Sequence, residues 1–218
     1  IKSESSNILS PIFLLKESAP ALITPFLSNN VWINSDVTYA IYDTSTTTPK
    51  GKENEFFLYD FAKKSSLSLF TSNAPQPFDV QFSQNNNEVL ITSVHSLSHV
   101  IHLNNKTVDQ LDITLESAVF DPKDSKVLYG IIGSSLVSYN LKTSETRTLE
   151  SDAVAPVALL YEWIAYVDIS EHNNPLLVMI PREKSKSDEQ IILGTLQSGG
   201  WTHTITLGSL TEIANENS

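Results

Sequence analysis

The sequence predicts an all-β chain, and within that class a β-propeller of about four to five four-stranded antiparallel blades. Three observations carry this expectation. Helical periodicity is almost absent, and short β-branched or aromatic runs alternate with Asn, Ser, Asp and Lys clusters, the pattern of strands joined by tight turns. The strand candidates recur at short, even spacing. Finally, residues 78–92 (FDVQFSQNNNEVLIT) superimpose without a gap on 116–130 (ESAVFDPKDSKVLYG), with Phe82 and Phe120 38 residues apart. Leu103 and Leu141 repeat the same spacing, so one period holds across two landmarks. A unit of about 40 residues with four short strands is the mark of a propeller blade. A β-sandwich with accidental internal similarity is the alternative.

Taken in order, residues 11–24 (PIFLLKESAPALIT) read as the last two strands of a preceding unit, a partial blade. The first full copy spans about 30–71, with strands at 37–42 (VTYAIY) and 56–60 (FFLYD). In it Trp32 precedes Tyr39 by seven residues, as Phe82 precedes Val89 and Phe120 precedes Val127. Its extra length falls at 44–55 (TSTTTPKGKENE), expected as a polar surface loop. The second copy spans 78–112, with a strand at 88–92 (EVLIT). The third spans 116–150, with strands at 126–130 (KVLYG) and 136–141 (LVSYNL). A looser fourth runs from 154 to 207, with a strand at 163–167 (WIAYV). There 175–181 and 190–196 compete as third strand around the charged stretch 182–189, and 200–207 (GWTHTITL) supplies a last strand. Stacking is expected to hide Phe82, Phe120, Leu90 and Leu128 between blades.

The whole chain, 1–218, therefore reads as a single propeller-like domain. The count of roughly four and a half units, with Ile1 rather than Met at the start, suits an excised segment of a larger propeller.

Composition sets limits on chemistry. With 14 Lys+Arg against 25 Asp+Glu the net charge is −11, the wrong sign for a phosphate backbone, so no nucleic acid partner is expected. No apolar run approaches the ~20 residues that span a bilayer, so no membrane insertion is expected within this segment. Cys is absent, which removes disulfides, thiol catalysis and Cys-type zinc sites. There is no Walker A, dinucleotide glycine fingerprint, HExxH or G-x-S-x-G, so no cofactor is expected.

The copies resemble the TolB-type WD40-like repeats, also called PD40 repeats. That pattern runs roughly L-x-V-Y-D-L-x-T-G-K-x-x-x-L-T, then, after a gap, F-S-P-D-G-K-x-I-A-F. Residues 56–71 and 135–149 stand for the first half, and 82–92 (FSQNNNEVLIT), 120–130 (FDPKDSKVLYG) and 161–167 (YEWIAYV) for the second. Asn86 and Asp124 replace the turn glycine, and both types tolerate the left-handed backbone expected there. The resemblance implies the propeller fold and a periplasmic, cell-surface or secreted setting. It leaves function open, since such propellers serve many roles.

Three groups of residues are candidates for chemistry. Asp79, Glu116 and Asp152 each precede the first strand of a blade, at a rim where propellers bind ligands. Such carboxylates can attract a cation or basic peptide, or supply a glycosidase pair about 5–10 Å apart. Ordinary turn capping and solvation is the favoured explanation of them. Trp201, beside Gly199-Gly200 and off the repeat, is a candidate exposed binding residue. His95, His99 and His102 lie close in sequence, but in a strand i and i+3 face opposite sides, so they read as a hairpin rather than a metal site. Asn105-Lys106-Thr107 matches a glycosylation acceptor. The expected function is thus a non-catalytic propeller scaffold binding a protein, peptide or glycan partner. A propeller glycoside hydrolase or lyase, or a spacer in a long surface protein, are the alternatives.

Overall fold

The computed structural model describes residues 13–16, 19–22, 30–49, 51–160, 162–170, 175–182, 191–197 and 200–203, with side chains described over 30–49, 51–159, 162–170 and 175–182. Among the described residues there is no helix. The chain opens with the hairpin β1 (Phe13–Lys16) and β2 (Ala19–Leu22). Blade 1 is β3 (Asn30–Ile33), β4 (Tyr39–Thr48), β5 (Gly51–Asp60) and β6 (Ser65–Ser72). Blade 2 is β7 (Asp79–Phe82), β8 (Glu88–Thr92), β9 (His99–His102) and β10 (Thr107–Gln110). Blade 3 is β11 (Ala118–Phe120), β12 (Val127–Ile132), β13 (Ser135–Asn140) and β14 (Glu145–Ser151). Blade 4 is β15 (Ala153–Leu160), β16 (Trp163–Asp168), β17 (Leu176–Pro181), β18 (Ile191–Gln197) and β19 (Gly200–His203).

Every blade is antiparallel with its strands in sequence order. The first strands of blades 2, 3 and 4 approach one another, so these inner strands line the axis. The result is a partial β-propeller of about four blades. Blade 4 resolves the sequence ambiguity, with β17 third and β18 fourth. It also departs from the four-strand expectation, because β19 adds a fifth strand beside β18.

Blades adhere because a twisted four-stranded sheet leaves two apolar faces to cover. Blades 1 and 2 bury Ile41, Phe56, Leu58, Val80, Val89 and Ile101 against each other. Blades 2 and 3 bury Leu90, Val100, Phe120, Leu128 and Val137. Blades 3 and 4 bury Tyr129, Ile131, Leu136, Ile164, Tyr166 and Val178. Phe82 is half-buried at the first of these interfaces, whereas Phe120, 7% exposed, is enclosed in the second.

The gapless repeat hides a one-residue slip. Phe82 pairs with Val89, but Phe120 pairs with Leu128 rather than Val127. The turn after Phe82 closes when the Ser83 amide donates to the Glu88 carbonyl at 2.9 Å, while the turn after Phe120 takes one residue more, the Asp121 amide reaching the Val127 carbonyl at 2.8 Å. Because side chains alternate across a strand, that residue turns Leu128 toward blade 2 and Leu90 toward blade 3. The longer turn also needs no left-handed residue. Asn86 has φ +54°, as expected, but Asp124 does not adopt a positive φ, which corrects the sequence expectation. The Asp121 carboxylate instead accepts from the Lys123 amide at 2.7 Å and the Asp124 amide at 3.2 Å.

Blade 1 corrects the sequence in two places. Its ladder pairs Ile33 with Ala40, so the seven-residue landmark is that pair rather than Trp32 and Tyr39. Residues 44–55 are not a loop, because β4 and β5 remain paired as far as Thr48 opposite Gly51. Consecutive threonines favour the extended backbone. Ser45 Oγ donates to Asn54 Oδ1 at 2.6 Å, and the buried Asn54 side chain donates to the Ala74 carbonyl at 2.9 Å.

In the first turn of blade 1 the left-handed position falls on Val37, at φ +57°. A β-branched residue is strained there, and Val37 is exposed, so its side chain contributes little packing. Val37→Asn is expected to raise stability by about 1 kcal/mol in urea denaturation. A loss of stability would contradict the turn geometry.

Candidate functional site

Antiparallel strands sort the connections onto two ends of the blades. The rim end holds the starts of the first strands and the hairpins between second and third strands. The turn end holds the connections between first and second strands and between third and fourth strands. Seven of the chain's 14 basic residues lie at the turn end, namely Lys63, Lys64, Lys106, Lys123, Lys126, Lys142 and Arg182.

At the rim end, each sequence-predicted carboxylate sits in its own strand start. Asp79 opens β7 and accepts from Gln81 Nε2 at 3.2 Å. Glu116 precedes β11, and its amide donates to the Ile131 carbonyl at 2.9 Å. Asp152 lies between β14 and β15 with φ +56°, and its carbonyl accepts from the Ile169 amide at 2.7 Å. Trp201 falls within β19, and its side chain lies outside the described residues.

Between β8 and β9 the rim carries a six-residue loop, 93–98, where blade 3 has only Gly133-Ser134. Two buried serines fix this loop. The Ser93 carbonyl accepts from the Ser96 amide at 3.4 Å, and Ser93 Oγ accepts from the His95 amide at 3.3 Å. Ser98, 0% exposed, donates its amide to the Ile113 carbonyl at 3.0 Å and accepts from the Leu111 and Leu115 amides at 2.8 and 2.9 Å. So held, the loop presents Val94 and Leu97 at 47% and 39% exposure. The repeat alignment did not bring these residues forward. The available signal was two apolar residues inside a serine-rich turn.

The histidines separate. His95 is exposed on the loop, and His102 Nε2 lies 3.0 Å from Asp109 Oδ2. His99 stacks on Phe70 across the first interface, with ring centroids 4.0 Å apart, and burial pushes its pKa below the ordinary value. His99 and His102 face opposite sides of β9, as the strand period requires. Among the described residues no three His, Asp or Glu side chains group into a metal-binding set.

At the turn end a cleft of about 590 Å³ opens between the inner strands, lined by Phe82, Val119, Phe120, Leu159, Glu162 and Arg182 among others. Arg182 closes one wall. Its side chain is 3% exposed and donates Nη1 to Asp121 Oδ1 at 3.0 Å and Nη2 to Glu162 Oε2 at 2.9 Å. Tyr129 OH donates to the other Asp121 oxygen at 3.1 Å. Lys123, 2.8 Å away, and Arg182 hold the exposed Glu162 carboxyl below its ordinary pKa. The network joins blade 3 to blade 4, and sequence reading assigned Arg182 only to a charged stretch. A second groove of about 630 Å³ runs between blades 2 and 3, past Asp109, Asp112, Tyr139 and Lys142.

A similar clasp joins blades 1 and 2, where Lys106 Nζ lies 3.1 Å from the buried Asp60 carboxylate. Burial raises the Asp60 pKa, but the Lys63 amide and the Lys106 ammonium outweigh it, leaving the pKa below its ordinary 3.8. A carboxylate depressed in the folded state stabilises it above the unfolded pKa, and that contribution fades as pH falls through the folded value. Asp60→Asn should therefore lower the urea midpoint at pH 7, with the gap closing below about pH 4. A gap independent of pH would contradict the clasp.

No family model matches the chain, and no curated protein matches it. Solved structures do. An uncharacterized protein from Listeria monocytogenes EGD-e aligns with TM-score 0.54 at 6% identity, over 84% of this chain and 59% of that one. A chain of a nidogen/laminin complex aligns with TM-score 0.49 at 9% identity, over 72% and 60%. The Cps50 (Swd1) β-propeller domain of Myceliophteria thermophila aligns with TM-score 0.48 at 8% identity, over 79% and 72%. At such identity the Listeria likeness concerns fold alone. The chain spans about three-fifths of the length of the first two structures.

Proposed function

We propose that this chain is a non-catalytic propeller scaffold that binds a protein, peptide or glycan partner through its rim end. The observation that carries this reading is loop 93–98, fixed by buried Ser93 and Ser98 while Val94 and Leu97 face solvent. A loop ordered in advance loses little entropy on binding, and exposed apolar side chains on a rigid frame are what a partner covers. The resemblance of the repeats to the TolB type supports a periplasmic, cell-surface or secreted setting, as part of an envelope or surface protein.

The test is a screen of the purified chain on peptide and glycan arrays, followed by titration of the selected ligands. The reading expects saturable ligands whose binding is lost when the chain is unfolded. Arrays with no saturable ligand would favour the spacer role instead.

A further inference from the structure

Building on that reading, we infer that loop 93–98 docks a cationic peptide segment bearing apolar side chains, with Val94 and Leu97 receiving the apolar groups and Asp79 and Glu116 the positive charge. Two independent features meet at this place. The first is the fixed, exposed apolar pair. The second is charge, because the loop is walled on both sides by acids. Asp79 pairs on the ladder with Thr92, the residue before the loop. Glu116 directly follows Leu115, whose amide is held by Ser98 Oγ. From 79 to 117 the sequence carries five acids and a single basic residue, and with Glu88 and Lys106 both at the turn end, Asp79, Asp109, Asp112 and Glu116 remain without a basic residue among them. An anionic or purely apolar partner would leave these carboxylates unmatched, whereas Lys or Arg flanking Leu-type side chains satisfies both features.

The experiment uses fluorescence anisotropy with a labelled twelve-residue peptide alternating leucine and lysine. Companion peptides replace lysine with glutamate, or leucine with serine. The wild-type chain should bind the first peptide in a saturable, salt-weakened manner, and each companion about tenfold or more weakly. Val94→Ser with Leu97→Ser should weaken binding about tenfold, and Asp79→Asn with Glu116→Gln several-fold with a flatter salt dependence. Asp124→Asn with Glu145→Gln removes equal charge elsewhere and should leave binding unchanged. Thermal melts check that each variant is folded. Equal loss in the Asp124/Glu145 variant would reduce the effect to general electrostatics and overturn the inference. So would binding indifferent to the loop substitutions. Array ligands that are glycans or acidic peptides, unaffected by changes at 94 and 97, would overturn this inference while leaving the scaffold reading intact.

Discussion

Truncating Phe120 to alanine should destabilise the chain by ~3–5 kcal/mol, the range for emptying an aromatic site in a packed core. Phe120 stands on the inner strand of blade 3 and is enclosed with Leu90, Leu115 and Leu128 between blades 2 and 3. Loss of the ring leaves a cavity that neither rigid sheet can readily collapse to fill. Its repeat counterpart offers an internal comparison. Phe82 faces the preceding interface but is only half-buried, so Phe82→Ala should cost less, ~2 kcal/mol. Equilibrium urea unfolding measures both. A Phe120→Ala loss under 1 kcal/mol, or a larger loss at Phe82, would contradict this packing.

Arg182→Ala should be comparably severe, ~3–5 kcal/mol, for an electrostatic reason. The guanidinium is the charge partner of Asp121, and their side chains are 3% and 10% exposed. Removing Arg182 strands a carboxylate where water reaches it poorly. The Glu162 arm of the network contributes less, because that side chain is 58% exposed and its ion pair is screened by solvent. Arg182→Lys should restore little, since an ammonium cannot reproduce the fork that grips two carboxylates. The double change Arg182→Met with Asp121→Asn should recover much of the loss, because no uncompensated charge remains. If Arg182→Ala proves neutral, blades 3 and 4 are not joined through this pair.

Much of this architecture was legible in the residues. Strands at 88–92 and 163–167 follow from short apolar runs bounded by polar turns, and the 38-residue spacing of Phe82 and Phe120 exposes the blade period. What escaped were features that local composition does not encode. Two turns of equal apparent length close on different residues, because Asp121 caps its turn through its side chain while Asn86 closes another through a left-handed backbone. The threonine-rich 44–55 reads as loop by polarity, yet its pairing is set by cross-strand bonds such as Ser45 to Asn54. Arg182 and Asp121 are 61 positions apart, so neither signals the other along the chain. The rim carboxylates Asp79, Glu116 and Asp152 were visible as strand-start acids. The apolar loop beside two of them was not, because nothing in Ser93-Val94-His95-Ser96-Leu97-Ser98 shows that its outer serines are buried.

Among the described residues the blades pack one after another around an axis, each against its neighbours in sequence. Methyl-resolved NOE spectroscopy on the isotope-labelled chain tests this packing most directly. Inter-blade cross-peaks are expected from Ile41 and Leu58 to methyls of blade 2 such as Val89 and Ile101, from Leu90 and Val100 to Leu128 and Val137 of blade 3, and from Ile131 and Leu136 to Ile164 and Val178 of blade 4. Cross-peaks joining Ile41 or Leu58 to Leu128 or Val137, as two sheets folded face to face would give, would contradict it.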